Sequence, residues 1–339
     1  MYKEHCNIGI VGRGFVGSAV EYGFSDKRKY LLFINDKDES KSLHSLEDVV
    51  VYSDFIFLSV PTPSNEDGSI DLSYVETALQ EMSEIYSHSE LSGYPVENII
   101  LLRSTVTPGT TRKLQQKYQN LNLVFNPEFL TESNHKSDFV NQDRFVLGGE
   151  LNHTKKVSDL FEYRFPRVPI IQTDYESAEL TKYMNNCFLA TKVSFLNEMK
   201  QISEKCGADW DVAIKGFLMD NRIGQSHYQV PGPDGKLGFG GHCLPKDINA
   251  LKSFGESLGL NLNTLNGVIN TNLEVRPEKD WESDSRAFTS NQIEIPFESK
   301  EWKKEYIPEL GNRYTLEDVE MIQEGVRQYQ SDKEWLSIS

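Results

Sequence analysis

Short apolar runs alternate with longer helical periods over the first half of the chain. The runs are Ile8 to Val11, Tyr30 to Ile34, Asp54 to Val60, Ile99 to Leu102, Leu121 to Phe125 and Phe145 to Leu147, with helical stretches such as Leu72 to Tyr86 between them. This alternation predicts an α/β fold with a parallel sheet of βαβ units, a Rossmann-like domain over residues 1–172. From Asp174 to about Lys205 the pattern turns helical with no Pro or Gly to break it. A helix that long outruns one small domain's surface, so it reads as the spine of a central all-helical domain, residues 173–276, shared across a homodimer. Further helical stretches are expected at Trp210 to Met219, after Pro245 and at Leu262 to Leu273. After Pro277 the composition shifts, and the 277–339 tail offers one helix, Thr315 to Tyr329, with no second βαβ signal.

Composition narrows the classes. With 339 residues, 38% hydrophobic and 25% charged, the chain can bury the cores of two ordinary domains. Neither a charged segment followed by an apolar run at the N-terminus nor a run of eighteen apolar residues is present, so a cytoplasmic protein without a membrane partner is expected. A net charge of −16 opposes a phosphate backbone and argues against nucleic acid. The four cysteines, Cys6, Cys187, Cys206 and Cys243, show no paired spacing, so free thiols and no metal site are expected.

Three constellations carry chemistry. Gly12-Arg13-Gly14-Phe15-Val16-Gly17 follows the first strand directly. Gly12 allows the tight turn, Gly14 a close approach to a pyrophosphate and Gly17 the packing of helix on sheet. Asp36 ends the second strand, where a carboxylate takes ribose hydroxyls and repels a 2′-phosphate, favouring NAD over NADP. Polar residues also close three later strands: Pro61-Thr62-Pro63, Ser104-Thr105 and Asn126-Pro127-Glu128. In a doubly wound sheet these loops converge on one cleft, although ordinary turn chemistry explains each one singly. The third constellation is Gly238-Phe239-Gly240-Gly241-His242-Cys243-Leu244-Pro245-Lys246-Asp247. Pro245 suits a first helical turn, which places Cys243 at a helix N-terminus, exposed and with a lowered thiol pKa, and Asp247 one turn on. A buried structural cysteine is the plain alternative. On the spine, Lys182 and Asn186 share a face and can set an ammonium and an amide beside one reacting oxygen; a solvated lysine is the plain alternative there.

These motifs, with Val60-Pro61-Thr62-Pro63, Ser104-Thr105-Val106, Asn126 to Leu130, Glu179-Leu180-Thr181-Lys182, Asn186 and Arg222-Ile223-Gly224, stand in the order seen in the UDP-glucose/GDP-mannose dehydrogenase family, which the chain resembles from about Asn7 to Leu273. His242 stands where many members carry a small residue, and Val230 to Gly235 lengthens the loop before the cysteine. The resemblance implies NAD-dependent oxidation of the C6 alcohol of a nucleotide sugar to an acid. In that scheme Lys182, Asn186 and a water held by Asp247 manage the first step, Cys243 forms a thioester, and Glu128 is the base for its hydrolysis. It also implies that Thr105 positions a water and the nicotinamide. Gly12, Gly14, Phe15, Val16, Gly17, Asp36, Pro61, Thr62 and Glu132 would then line the cofactor. Glu128, Phe129, Leu130, Lys182, Asn186, Arg222, Gly238 and Phe239 would line the substrate, with Arg222 in some relatives reaching across the dimer. Members usually continue into a third, nucleotide-holding domain, which the tail does not resemble. A two-electron dehydrogenase of a smaller substrate and a non-catalytic NAD-binding subunit are the alternatives. The Pro231 to Lys236 insertion and the tail cations Arg286, Lys300, Lys303, Lys304 and Arg313 are candidates for replacing the missing contacts.

Overall fold

The computed structural model describes residues 6–91, 96–284 and 288–289. The described residues all fall in one compact unit, residues 1–290. The expected tail helix at Thr315 to Tyr329 and the cations Arg286, Lys300, Lys303, Lys304 and Arg313 lie outside the described residues.

A seven-stranded sheet runs in the order β2-β1-β3-β4-β5-β6-β7. Its strands are β1 (Cys6–Val11), β2 (Tyr30–Asn35), β3 (Phe55–Leu58), β4 (Ile99–Leu102), β5 (Leu123–Phe125), β6 (Phe145–Gly149) and β7 (Ile170–Thr173). All neighbours pair in parallel except β5 with β6, so the expectation of a parallel sheet holds for all but that one pairing. Strands β3 and β4 are buried along their whole length because helices cover both faces. The strand period of two then sorts the side chains: Ile56 and Leu58 pack on one face with Val49, Val75 and Leu79, while Phe55 and Phe57 pack on the other with Val20, Phe24 and Phe161.

Helices α1 (Phe15–Gly23), α2 (Leu46–Tyr52), α3 (Ser73–Leu91), α4 (Thr110–Lys117), α5 (His135–Val140) and α6 (Leu151–Arg164) flank this sheet. The spine is α7 (Tyr175–Cys206), 32 residues and therefore about 48 Å long. Asp174 caps its start by accepting from the Ser177 N–H, and Gly207, at φ 73°, ends it in the left-handed conformation. Helices α8 (Trp210–Leu218), α9 (Cys243–Ser257) and α10 (Asn263–Val275) follow. A small core of Cys187, Ala190, Val193, Phe239, Ile248 and Val268 joins α7, α9 and α10. No helix among the described residues is long and apolar enough to cross a membrane.

Candidate active site

The parallel strands β1, β3, β4 and β5 end side by side, and the loops that leave them carry most of the expected site. Gly12 has φ +89°, and a Cβ there would press on the Ser59 carbonyl; a Cβ on Gly17 would enter the Gly12 carbonyl. Both glycines are therefore required by the turn. A Cβ at Gly14, the residue before α1, would meet nothing within 4 Å. That leaves the helix N-terminus open on the side where an anion is held. The Asp36 carboxylate stands at the tip of β2, accepting from the Arg13 N–H at 2.5 Å and the Asp38 N–H at 2.8 Å. Thr62 and Thr105 are buried at the ends of β3 and β4, and Pro61 is exposed. The open turn, the β2 carboxylate and the converging loops fit a dinucleotide.

Across the cleft, α7 turns one face to the sheet at spacings of four, three and four. Tyr175 donates its hydroxyl to the Leu123 carbonyl at 2.9 Å. One turn on, Glu179 accepts from the Gly109 and Thr111 N–H groups at 2.6 and 2.7 Å. Lys182 Nζ donates to the Glu128 carbonyl and to Glu128 Oε1, both at 2.6 Å. Asn186 Nδ2 donates to Asp247 Oδ2 at 2.6 Å, and Lys246 Nζ donates to Asp247 Oδ1 at 2.5 Å. Glu128, Lys182, Asn186, Lys246 and Asp247 are all buried. Burial alone would lower the Lys182 pKa, but the Glu128 and Asp247 carboxylates more than offset it, and the net shift is upward. Lys182 is thus held as an ammonium, suited to stabilising an oxyanion. Phe129 places its ring 5.7 Å from Lys182 Nζ and 4.2 Å from the Arg144 guanidinium, while the Leu130 N–H donates to Glu128 Oε2 at 2.7 Å.

Cys243 opens α9 as expected, but its titration is the reverse of the expectation. Burial and then the Glu128 carboxylate push the thiol up to about 12, and the ammonium groups of Lys182 and Lys246 pull it back only in part. The α9 N-terminus does not outweigh the loss of water and a nearby negative charge. Cys243 is also only partly exposed. It is therefore a neutral thiol whose proton must leave as it reacts.

The remaining expected residues are spread more widely. Glu132 lies mostly exposed at the surface, its Oε2 3.5 Å from His242 Nδ1, and the His242 ring meets Phe15 edge-on at 5.3 Å between centroids. Phe239 buries its side chain in the small helical core, and its backbone N–H and carbonyl are bonded to Asn272 in the interior. Arg222 stays on the surface, paired with Asp220 at 2.5 Å. Among the described residues, no group of three or more His, Cys, Asp or Glu is placed to hold a metal ion.

Several buried polar residues escaped the sequence reading. Arg103 at the end of β4 lies between the rings of Phe57 and Phe139 and donates to Asn126 Oδ1, fixing the loop that carries Glu128. Asn197, Asn272 and Arg276, together with Glu179 of the Glu179 to Lys182 motif, hold loops that lie far off in sequence. Glu179 stands in the Glu179 to Lys182 motif without an assigned role, and the signal for Asn197 is that it continues the helical period of Lys182 and Asn186.

This sheet, glycine turn and acidic β2 tip define a dinucleotide-binding protein, extended by a helical layer whose buried Lys, Asn and Asp face the same cleft. The profile of the UDP-glucose/GDP-mannose dehydrogenase family, NAD binding domain, matches residues 41–164, and that of the same family's central domain matches residues 176–274. The chain belongs to the UDP-glucose/GDP-mannose dehydrogenase family, and its cofactor is NAD. It is 34% identical over 264 residues to the UDP-glucose 6-dehydrogenase TuaD of Bacillus subtilis, covering 76% of this chain and 52% of that protein. It is 30% identical over 313 residues to the UDP-glucose 6-dehydrogenase AglM of Haloferax volcanii, covering 80% of this chain and 70% of that protein. Among solved structures, a UDP-glucose dehydrogenase from Pyrobaculum islandicum superposes with a TM-score of 0.69 at 28% identity, over 80% of this chain and 68% of that one. The chain spans about half the length of several curated relatives that it matches.

Proposed function

We propose that the protein oxidises the C6 primary alcohol of a nucleotide sugar of the UDP-glucose kind to the uronic acid, through a thioester on Cys243. The observation that carries this reading is the buried network in which Lys182 meets Glu128 and Asn186 meets Asp247, beside the neutral thiol at the start of α9. Bound NAD supplies the hydride acceptor for each of the two oxidations.

In the first step Lys182 and Asn186 stabilise the alkoxide oxygen, and a water held by Asp247 takes the hydroxyl proton. The product is an aldehyde. The Cys243 sulfur then bonds to the aldehyde carbon, and the thiol proton passes to the former carbonyl oxygen, giving a thiohemiacetal. Loss of that proton and of a hydride leaves the thioester. Glu128 takes a proton from the water that attacks it, the carbon–sulfur bond breaks, and the thiol and the acid are released. Thr105 helps to position the water and the nicotinamide, with Pro61, Thr62 and Glu132 also lining the cofactor. Phe129, Leu130, Gly238 and Phe239 line the sugar.

The same reading divides the chain into an NAD domain at 1–172, a central domain at 173–276 and a tail at 277–339. The chain pairs as a homodimer through α7, which exposes Leu180, Met184, Phe188, Phe195 and Ile202 along one stripe. In the dimer Arg222 reaches the partner's substrate. The test is a panel of nucleotide sugars and free sugars, with NADH followed and the product identified. Two NADH per molecule of acid from a nucleotide sugar is expected. One NADH per turnover, from small alcohols only, would replace this reading with a two-electron dehydrogenase.

A further inference from the structure

The loop that leads into Cys243 is held by groups outside the reacting cluster. The Gly238 N–H donates to Asn197 Oδ1 on α7 at 3.1 Å. Asn272 on α10 clamps Phe239 from both sides, accepting from its N–H at 2.7 Å and donating to its carbonyl at 3.0 Å. Arg276, the first residue past α10, lies directly against Gly240, so that a Cβ there would run into the guanidinium. The Arg276 side chain is only 3% exposed. Its Nε and Nη2 donate to the two Asp280 oxygens at 2.8 and 2.6 Å, and its Nη1 stands 2.8 Å from Asp234 Oδ2. Asp234 belongs to the insertion before the loop and Asp280 to the segment after Pro277. Lys236 closes the ring by meeting Asp280 at 2.7 Å.

We propose that Arg276 is a positioning residue for the thioester half of the reaction, fixing the Gly238 to Gly241 loop and through it the Cys243 sulfur. This rests on the cysteine chemistry proposed above. Gly238 and Gly241 sit at φ +66° and +69°, and a glycine-rich loop has little stiffness of its own, so its partners set its position. A planar fork can bridge two carboxylates while lying flat on a glycine; an ammonium cannot do both. The first oxidation depends on Lys182, Asn186 and Asp247, which α7 and α9 hold through separate bonds. Loss of the guanidinium therefore acts chiefly on the second oxidation.

The test compares wild type, Arg276→Ala and Arg276→Lys in the full chain with NAD and UDP-glucose, trapping released aldehyde and measuring acid. A misplacement of about 1 Å costs about 100-fold, so acid formation should fall about 10- to 100-fold in both variants while trapped aldehyde rises. NAD affinity should stay within about twofold, as Arg276 bonds to Asp234, Leu237 and Asp280, none of them on the cofactor loops. Millimolar guanidinium should restore acid formation in Arg276→Ala. Should that variant fail to fold, Gly240→Ala displaces the guanidinium without removing it and should shift the ratio of acid to aldehyde in the same direction. If wild type makes acid and the variants keep its ratio of acid to aldehyde, Arg276 has no positioning role. If wild type makes no acid, the cysteine chemistry falls and this role falls with it.

Discussion

Replacing Glu179 by Gln should change the pH dependence of stability more than stability itself. Glu179 is fully buried on α7, and its oxygens accept from the Gly109 and Thr111 N–H groups at 2.6 and 2.7 Å. It thereby caps α4 and ties the turn after Thr105 to the spine, one helical turn before Lys182. Burial raises its pKa from 4.5 to about 7, against the downward pull of those N–H groups and the Thr111 side chain. Because the folded pKa is the higher one, the stability linked to this group is complete below about 4.5 and is lost as pH rises through about 7. At about 1.4 kcal/mol for each pH unit between the two values, the loss amounts to about 3 kcal/mol. Gln never ionises. It keeps one acceptor and loses the other, so Glu179→Gln should cost about 1–2 kcal/mol at pH 5. By pH 8.5 the wild type has lost its advantage, and the variant should equal or exceed it. Urea denaturation at the two pH values reads this directly, with an unchanged m value. A stability difference that stays constant with pH, or that moves further against the variant as pH rises, would show that Glu179 does not titrate with a raised pKa in the folded protein.

Three other outcomes follow from the same geometry. Lys182→Met leaves the Glu128 carboxylate buried without its cation, so urea unfolding should show a loss of about 3–5 kcal/mol, and NADH initial rates should fall at least about 100-fold. Since the Cys243 thiol is pushed up to about 12, its alkylation by iodoacetamide in the free enzyme should keep rising through pH 9; a plateau near pH 7 would contradict the assignment. Phe188 is 66% exposed on the α7 stripe, so Phe188→Asp should convert a dimer into monomers in analytical ultracentrifugation, and an unchanged sedimentation coefficient would move the interface elsewhere.

How much of this was legible beforehand depended on whether a residue's partner lay nearby in sequence. The first six strands could be read from their apolar runs because both sheet faces are covered. Strand β7 was not, since its residues Ile170–Thr173 are half-buried or exposed and carry no continuous apolar run. The antiparallel pairing of β5 with β6 left no local mark. Lys182 and Asn186 were found because a spacing of four sets two side chains on one helix face, and the structure turns both into the cleft. The thiol of Cys243 was misjudged because a helix start is visible in sequence, whereas the Glu128 carboxylate and the burial that outweigh it arrive from elsewhere in the fold. Arg276 and Asn272 carry no signal: each acts on a glycine loop more than thirty residues away, through contacts that only folding brings about.

In the proposed reaction one active site carries an alcohol through an aldehyde to an acid by way of Cys243. The direct measurement is the product stoichiometry of Cys243→Ser with NAD and UDP-glucose, with the aldehyde trapped as it forms. NAD binding should match wild type, with one NADH for each trapped aldehyde and acid formation lowered by at least about 1000-fold because the nucleophile is gone. Acid produced at the wild-type rate with two NADH per sugar would contradict the proposed reaction.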